Sequence, residues 1–129
     1  MKKVFTNGCF DILHRGHVEL LKFCKSLGRV TVGLNSDLSV RQIKGELRPV
    51  YSQQDRKFLL ESLKYVDEVV LFDELTPYNL IKKQKPDIIV KGGDYAVEDV
   101  VGNDLAKVII YDFIDGYSTT KTIERASNR

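Results

Sequence analysis

His14 and His17 stand three residues apart with Gly16 between them, in the stretch "FTNGCFDILHRGHVELL" of residues 5–21, where an apolar run gives way to a helical pattern. Two imidazoles at a helix entrance can donate N–H groups to phosphate oxygens. The glycine lets a ligand approach the backbone, and a helix amino end offers N–H groups and the positive end of the peptide dipole. That combination suits a phosphate grip. Other chemistries fit less well. A helical zinc pair is best known at i and i+4, whereas this pair is i and i+3, with only Cys9 or Asp11 as a third ligand. Gly8 and Gly16 do not form G-x-G-x-x-G, and no G-x-x-x-x-G-K-[ST] loop is present. A lone histidine is usually structural or solvated, so the weight rests on the pair.

The elements that must position these residues follow from hydrophobic periodicity. Lys2 to Thr6 and Arg29 to Asn35 read as strands, and His17, Leu20, Leu21, Cys24 and Leu27 between them fall on one helical face. Ser52 with Asp55 three residues on reads as an N-cap and acidic first turn, opening a helix that packs Leu59, Leu60, Leu63 and Val66 inward. Glu68 to Phe72 is a third strand. Thr76 and Pro77 start a further helix that Pro86 stops, and Asp87 to Lys91 forms a strand buried on both faces. Lys107 to Phe113 is the fifth strand, and Ser118 opens a last helix. Regular alternation of this kind predicts an α/β, Rossmann-like doubly wound five-stranded parallel sheet, as a single domain over residues 1–129. Ligands bind such sheets beyond the carboxyl ends of the strands, where Asn7 to His17, Ser36 to Arg48, Lys91 to Tyr95 and Asp115 to Thr120 are expected.

Composition narrows the partners. The 129 residues suffice for one core, and twenty Lys plus Arg against eighteen Asp plus Glu leave a net charge of +2, too balanced for bulk attraction to nucleic acid. An anion site must therefore be local. Two cysteines make no disulfide framework, no leader is evident, and no apolar run nears the ~20 residues that span a bilayer. The expectation is a cytoplasmic protein with no membrane or nucleic-acid partner.

"GCFDILHRGH" resembles the H-x-G-H motif of the nucleotidyltransferase superfamily, whose cytidylyltransferase-like branch also carries Ser-Thr-Thr near its end, here Ser118, Thr119 and Thr120. The two motifs occur in order on a matching strand and helix pattern across almost the whole chain. The resemblance implies transfer of a nucleoside monophosphate from a nucleoside triphosphate to a phosphorylated acceptor, with release of pyrophosphate and use of Mg²⁺. The acceptor's phosphate oxygen then attacks the α-phosphorus directly, so catalysis is alignment plus charge stabilisation. By resemblance His14 and His17 serve the triphosphate and the transition state, and Lys44 serves the acceptor or the phosphates. Arg48 and Arg56 are further phosphate candidates. Asn7, Gly8, Cys9, Phe10, Asp11 and Gly16 contact the nucleotide, as does Asp94 in the turn after Gly92 and Gly93, while Ser118, Thr119 and Thr120 cradle the β- and γ-phosphates. Asp11 either positions the histidine loop or helps hold Mg²⁺, which is otherwise carried mainly by the triphosphate. Cys24, on the apolar stripe, is core.

"TNGCFDILHRGH", "GLNSD", "KGGDY" with "VEDVVG", and "DGYSTT" are most similar to the heptose 1-phosphate adenylyltransferases, which make ADP-heptose and are often fused to a sugar kinase. Glycerol-3-phosphate cytidylyltransferases share the histidines and a compact length but end in R-T-x-G-I-S-T-T, and Phe113 stands here in place of that arginine. The segment between Gly102 and Lys107 is in turn shorter than in the heptose enzymes. The partners implied are ATP or CTP and a sugar or polyol phosphate. A reading of another class, a nucleotide-binding sensor without turnover, meets the intact pair of histidines with Lys44. Relatives are commonly homodimers, for which Tyr51, Phe58, Tyr65 and Tyr78 are interface or core candidates.

Overall fold

The computed structural model describes residues 1–112. Five parallel strands form one sheet in the order β3-β2-β1-β4-β5. They are β1 (Lys3–Gly8), β2 (Arg29–Asn35), β3 (Glu68–Phe72), β4 (Ile88–Gly92) and β5 (Lys107–Tyr111), joined through α1 (Arg15–Leu27), α2 (Asp37–Lys44), α3 (Gln53–Glu61) and α4 (Tyr78–Gln84). A single 3-10 turn, Val97–Asp99, lies between β4 and β5. The predicted strands are present to within two residues at each end. The helix expected to open at Ser118 lies outside the described residues.

Alternation along the strands builds two cores, one on each face of the sheet. Val4, Val30, Val32, Ile88 and Val90 pack with Leu20, Leu21 and Cys24 of α1 and Leu60 of α3. Phe5 and Ile89, the neighbours of Val4 and Ile88, point the other way and pack with Leu80 and Ile81 of α4 and with Val100. A strand covered on both faces must be apolar at successive positions, which is why Ile88, Ile89 and Val90 run together. Cys24 is fully buried in the first core, and burial pushes its thiol up to about 12.

Ser36 to Arg48 does not remain a loop. Ser36 caps α2 by accepting a hydrogen bond from the Ser39 amide, and Asp37 occupies the first turn. The helix buries only Ser39 and Val40, while its Leu38 and Ile43 are exposed. Conversely α3 is shorter than its apolar pattern suggests. It ends at Glu61, Leu63 and Val66 reach the core from the turn that follows, and Leu59, expected to point inward, is exposed beside Phe58.

The sheet's pairing is uneven where it matters for binding. β1 pairs with β2 along its whole length, Lys3 with Arg29 through Gly8 with Leu34. With β4 it pairs only at Val4–Ile88 and Phe5–Ile89, although β1 continues to Gly8 and β4 to Gly92. The two strands therefore part at their carboxyl ends. This is also where strand order reverses, because the chain runs from β1 outward through β2 and β3 and then returns to β4. A crevice at such a reversal is the expected ligand site of an open α/β sheet. No helix among the described residues is long and apolar enough to cross a membrane.

Candidate functional site

A cavity of about 520 Å³ opens over the parted ends of β1 and β4. Asn7, Gly8, Cys9, Phe10 and Asp11 enter it from β1 and the loop that follows, and His14 and His17 from the start of α1. Lys44 reaches it from the end of α2, and Arg48 from the segment beyond. Sequence-distant groups singled out for phosphate chemistry are thus brought to one place.

The histidines are built into the helix they begin. His14 is the N-cap of α1, and its Nδ1 accepts a hydrogen bond from the Gly16 amide at 3.1 Å. The Nδ1 of His17 accepts from the His14 amide at 3.2 Å, completing a reciprocal capping box. A ring nitrogen that accepts carries no proton, so each neutral ring holds its hydrogen at Nε2. The rings stack with centroids 3.8 Å apart, and His17 also tilts against Phe10 at 5.1 Å. Burial lowers the pKa of His14. Burial, reinforced by the neighbouring His14, lowers that of His17 to about 3. Both rings are therefore neutral donors at pH 7. The helix amino end contributes less than its sequence suggests, because the Gly16 amide bonds the His14 ring and the His17 amide bonds the His14 carbonyl. Gly16 itself is buried in the helix start.

Phe10 adopts a left-handed φ of 46°, a conformation that turns the loop sharply between Cys9 and Asp11. Its buried ring lies under Gly8, where an added Cβ would come 3.1 Å from the Phe10 Cε2. Gly8 therefore leaves room for both the ring below and a ligand above.

Asp11 and Arg56, two of the candidates for ligand contact, are engaged inside the protein. The Asp11 carboxylate is buried and accepts from Arg48 Nε at 2.7 Å and from the amides of Val50 and Tyr51. Burial alone would raise its pKa, but the Tyr51 and Val50 amides and Arg48 outweigh that and hold it below the ordinary value. Both oxygens are used, so Asp11 is a positioning group for the Arg48–Tyr51 segment and lacks the open lone pairs a hard cation would need. Among the described residues no cluster of three or more His, Cys, Asp or Glu is placed to hold a metal ion. Arg56 is 1% exposed and does not line the cavity. Its guanidinium donates to the carbonyls of Tyr51, Cys9 and Asn35 and to Asp37 Oδ1. It lies beneath the site rather than in it.

Arg48 faces the cavity with its charge paired to Asp11 and with Nη2 buried and unpartnered. The Cys9 thiol, half-buried, is raised by burial in spite of the cations Lys44, Arg56 and Arg48 around it. It is a packing and contact group rather than a thiolate nucleophile. Asp94 is exposed in the turn after β4 and is not part of the cavity wall. Ser118, Thr119 and Thr120 lie outside the described residues.

Other residues on the cavity wall carry no role by motif, although Lys91 and Tyr95 bound a segment expected at the strand ends. Asn35 ends β2, Thr76 and Pro77 precede α4, whose N-cap is Pro77 rather than Thr76, and Lys91, Tyr95 and Asp99 follow from β4 onward. For Lys91 the signal was present, as a lysine that closes an otherwise apolar strand at its carboxyl edge. Asn35 is held by Ser39 Oγ, to which its amide donates at 3.0 Å, a contact that depends on the unforeseen α2.

Comparison with known proteins places this geometry. The family described as cytidylyltransferase-like matches residues 5–125. The bifunctional protein HldE of Nitratiruptor sp. is 59% identical over 124 residues, 95% of this chain and 27% of that protein. HldE of Wolinella succinogenes is 55% identical over 126 residues, again 27% of its length. The chain thus spans about a quarter of the curated relatives it matches. A crystal structure of a lipopolysaccharide core biosynthesis protein from Thermoplasma volcanium is 30% identical, with a TM-score of 0.73, and the match covers 92% of this chain and 99% of that one.

The lowered pKa of His17 has a consequence for stability. Below the ordinary value of 6.5 the unfolded chain binds a proton that the folded chain refuses until about pH 3. Stability of the nucleotide-free protein should therefore fall as pH drops through that window and be unaffected by this ring above it. In urea denaturation at a pH above and a pH within the window, His17→Gln, which keeps a capping-box residue, should lose less stability than the wild type. Equal losses would mean that the ring is not held neutral. Arg56→Met should cost about 3–5 kcal/mol, because it strands buried acceptors and Asp37. A loss below about 1 kcal/mol would show the network to be incidental.

Proposed function

The chain belongs to the cytidylyltransferase-like family, a family of nucleotidyltransferases, and from that premise we propose that it transfers AMP from ATP to a heptose 1-phosphate, forming an ADP-heptose and pyrophosphate. The observation that carries the reading is the pair of neutral, stacked imidazoles whose Nε2–H groups are fixed as donors at the mouth of a cation-lined cavity. An oxygen of the acceptor phosphate attacks the α-phosphorus, the bond from that phosphorus to the bridging oxygen breaks, and pyrophosphate leaves. No side chain of the protein forms a bond in that step. The protein's part is to align two anions that repel each other and to donate hydrogen bonds where negative charge accumulates. Neutral imidazoles suit this because they donate without first shedding a tight hydration shell.

Adenylyl transfer to a sugar phosphate is favoured over cytidylyl transfer to a polyol phosphate by the similarity to HldE proteins along 95% of the chain. The structural relative points the same way, since a lipopolysaccharide core is carbohydrate and carbohydrate is assembled from nucleotide-activated sugars. Mg²⁺ belongs to the proposal as part of the substrate, bound to the triphosphate, in keeping with an Asp11 whose oxygens are already used. Two free thiols, Cys9 and Cys24, suit the reducing cytoplasm where nucleoside triphosphates are made. A homodimer is supported by the exposed Tyr51, Phe58 and Leu59, which cluster on and beside α3. Tyr65 packs in the core instead, and Tyr78 donates to Asp104.

Pyrophosphate release measured with ATP and CTP, each against heptose 1-phosphate and glycerol 3-phosphate with and without Mg²⁺, tests the reaction. Release only with ATP, heptose 1-phosphate and Mg²⁺ is the expected result. Preference for CTP with glycerol 3-phosphate would replace this reading, and nucleotide binding without release in any combination would make the protein a sensor. His17→Ala should lower kcat by about a hundredfold or more while ATP still binds, and a near-normal rate would remove the ring from catalysis. Light scattering should return twice the chain mass, and Phe58→Asp should return a monomer. A wild-type monomer would refute the assembly.

A further inference from the structure

Lys91 is an unassigned cation at the opening of the crevice. Ile88, Ile89 and Val90 of β4 are buried, and Lys91 is the next residue along, half-buried and lining the cavity where β4 has parted from β1. Its Nζ lies 4.9 Å from the centroid of the Tyr95 ring. Among the described residues no carboxylate lies within ion-pair distance of it. The other cations of the wall are differently placed. Arg48 is paired with Asp11, and Lys44 is exposed to water. Among the described residues Lys91 is therefore a partly desolvated charge of the cavity wall with no carboxylate counter-ion. Burial accordingly lowers its pKa, opposed by the nearby Cys9. An arriving anion would relieve that unfavourable burial.

The identity of the anion follows from position. Nucleotidyl transfer needs two anions side by side, and the histidine pair already addresses the triphosphate. Lys44 comes from the β2 side of β1 and Lys91 from the β4 side, so they enter the cavity from opposite flanks of the strand that leads to Cys9. Cys9 is in electrostatic reach of both. We propose that Lys91 and Lys44 clamp the phosphate of the acceptor above Cys9, with Lys91 contacting the acceptor directly and selecting for phosphate esters over neutral sugars. This rests on the transferase reading given above.

The test compares wild type, Lys91→Gln and Lys91→Arg in two assays. In steady-state turnover, the Gln variant should raise KM for the sugar phosphate by about tenfold to a hundredfold, the range expected for one lost charge-assisted hydrogen bond, with KM for ATP essentially unchanged. The Arg variant should recover most of the loss. A parallel rise in both KM values, or a fall in kcat with neither KM altered, would overturn the clamp by showing a structural role. In calorimetry, heptose 1-phosphate and glycerol 3-phosphate are titrated into protein preloaded with a magnesium complex of a non-hydrolysable ATP analogue. Binding that the Gln variant loses and the Arg variant keeps supports the clamp even if no pyrophosphate is ever released, in which case the transferase reading alone fails. Equal binding by wild type and Lys91→Gln, or none by wild type, overturns the clamp while leaving the transferase assay to stand on its own result.

Discussion

A guanidinium buried among main-chain carbonyls holds this site together. Arg56 joins the loop after β1 at Cys9, the end of β2 at Asn35, the start of α2 at Asp37 and the entry to α3 at Tyr51. Each of those segments contributes to the cavity or stands next to one that does. Asp11 is its counterpart of opposite sign, drawing Arg48, Val50 and Tyr51 toward the same loop. Buried charges are tolerated only when nearly every donor and acceptor is matched, so the two networks impose a narrow set of loop conformations. The cavity wall is thus fixed by buried charges, with Arg56 behind the wall and Asp11 and Arg48 in it. Lys44, Lys91, His14 and His17 line the cavity that these networks shape.

The imidazoles illustrate how the fold sets chemistry without covalent participation. Their Nδ1 atoms are occupied by amides of the same helix turn, so the tautomer of each ring follows from capping. Stacking at 3.8 Å makes double protonation unfavourable and keeps the pair as donors. For a reaction whose difficulty lies in assembling like charges, placement and polarity of this kind are the protein's main contributions.

Much of the arrangement was legible in the residues. The strand and helix alternation and the two-faced burial of Ile88 to Val90 follow from periodicity, the gathering of Asn7 to His17 and Ser36 to Arg48 from the rule that ligands bind at strand ends, and the choice of Lys44 within that segment from the family resemblance. What escaped was long-range or short. Nothing local to Arg56 distinguishes a buried guanidinium from a solvated one, since its partners lie 5 to 47 positions away. Asp11 likewise looks like a ligand until the Val50 and Tyr51 amides fold back onto it. Helix α2 is only eight residues long and follows directly on β2, so it is passed over within Ser36 to Arg48. Lys91 was visible as a charged end to an apolar strand, and only the parting of β1 and β4 gives that position meaning.

Because the same imidazoles that face the cavity also terminate α1, selection acts on folding and on turnover through shared atoms. A lineage that abandoned the reaction would still need an acceptor at His14 for the Gly16 amide, and serine, asparagine or aspartate would fill that vacancy most easily. Inactive descendants of this fold should therefore carry a small polar residue there more often than an apolar one, an inheritance of the helix rather than of the chemistry.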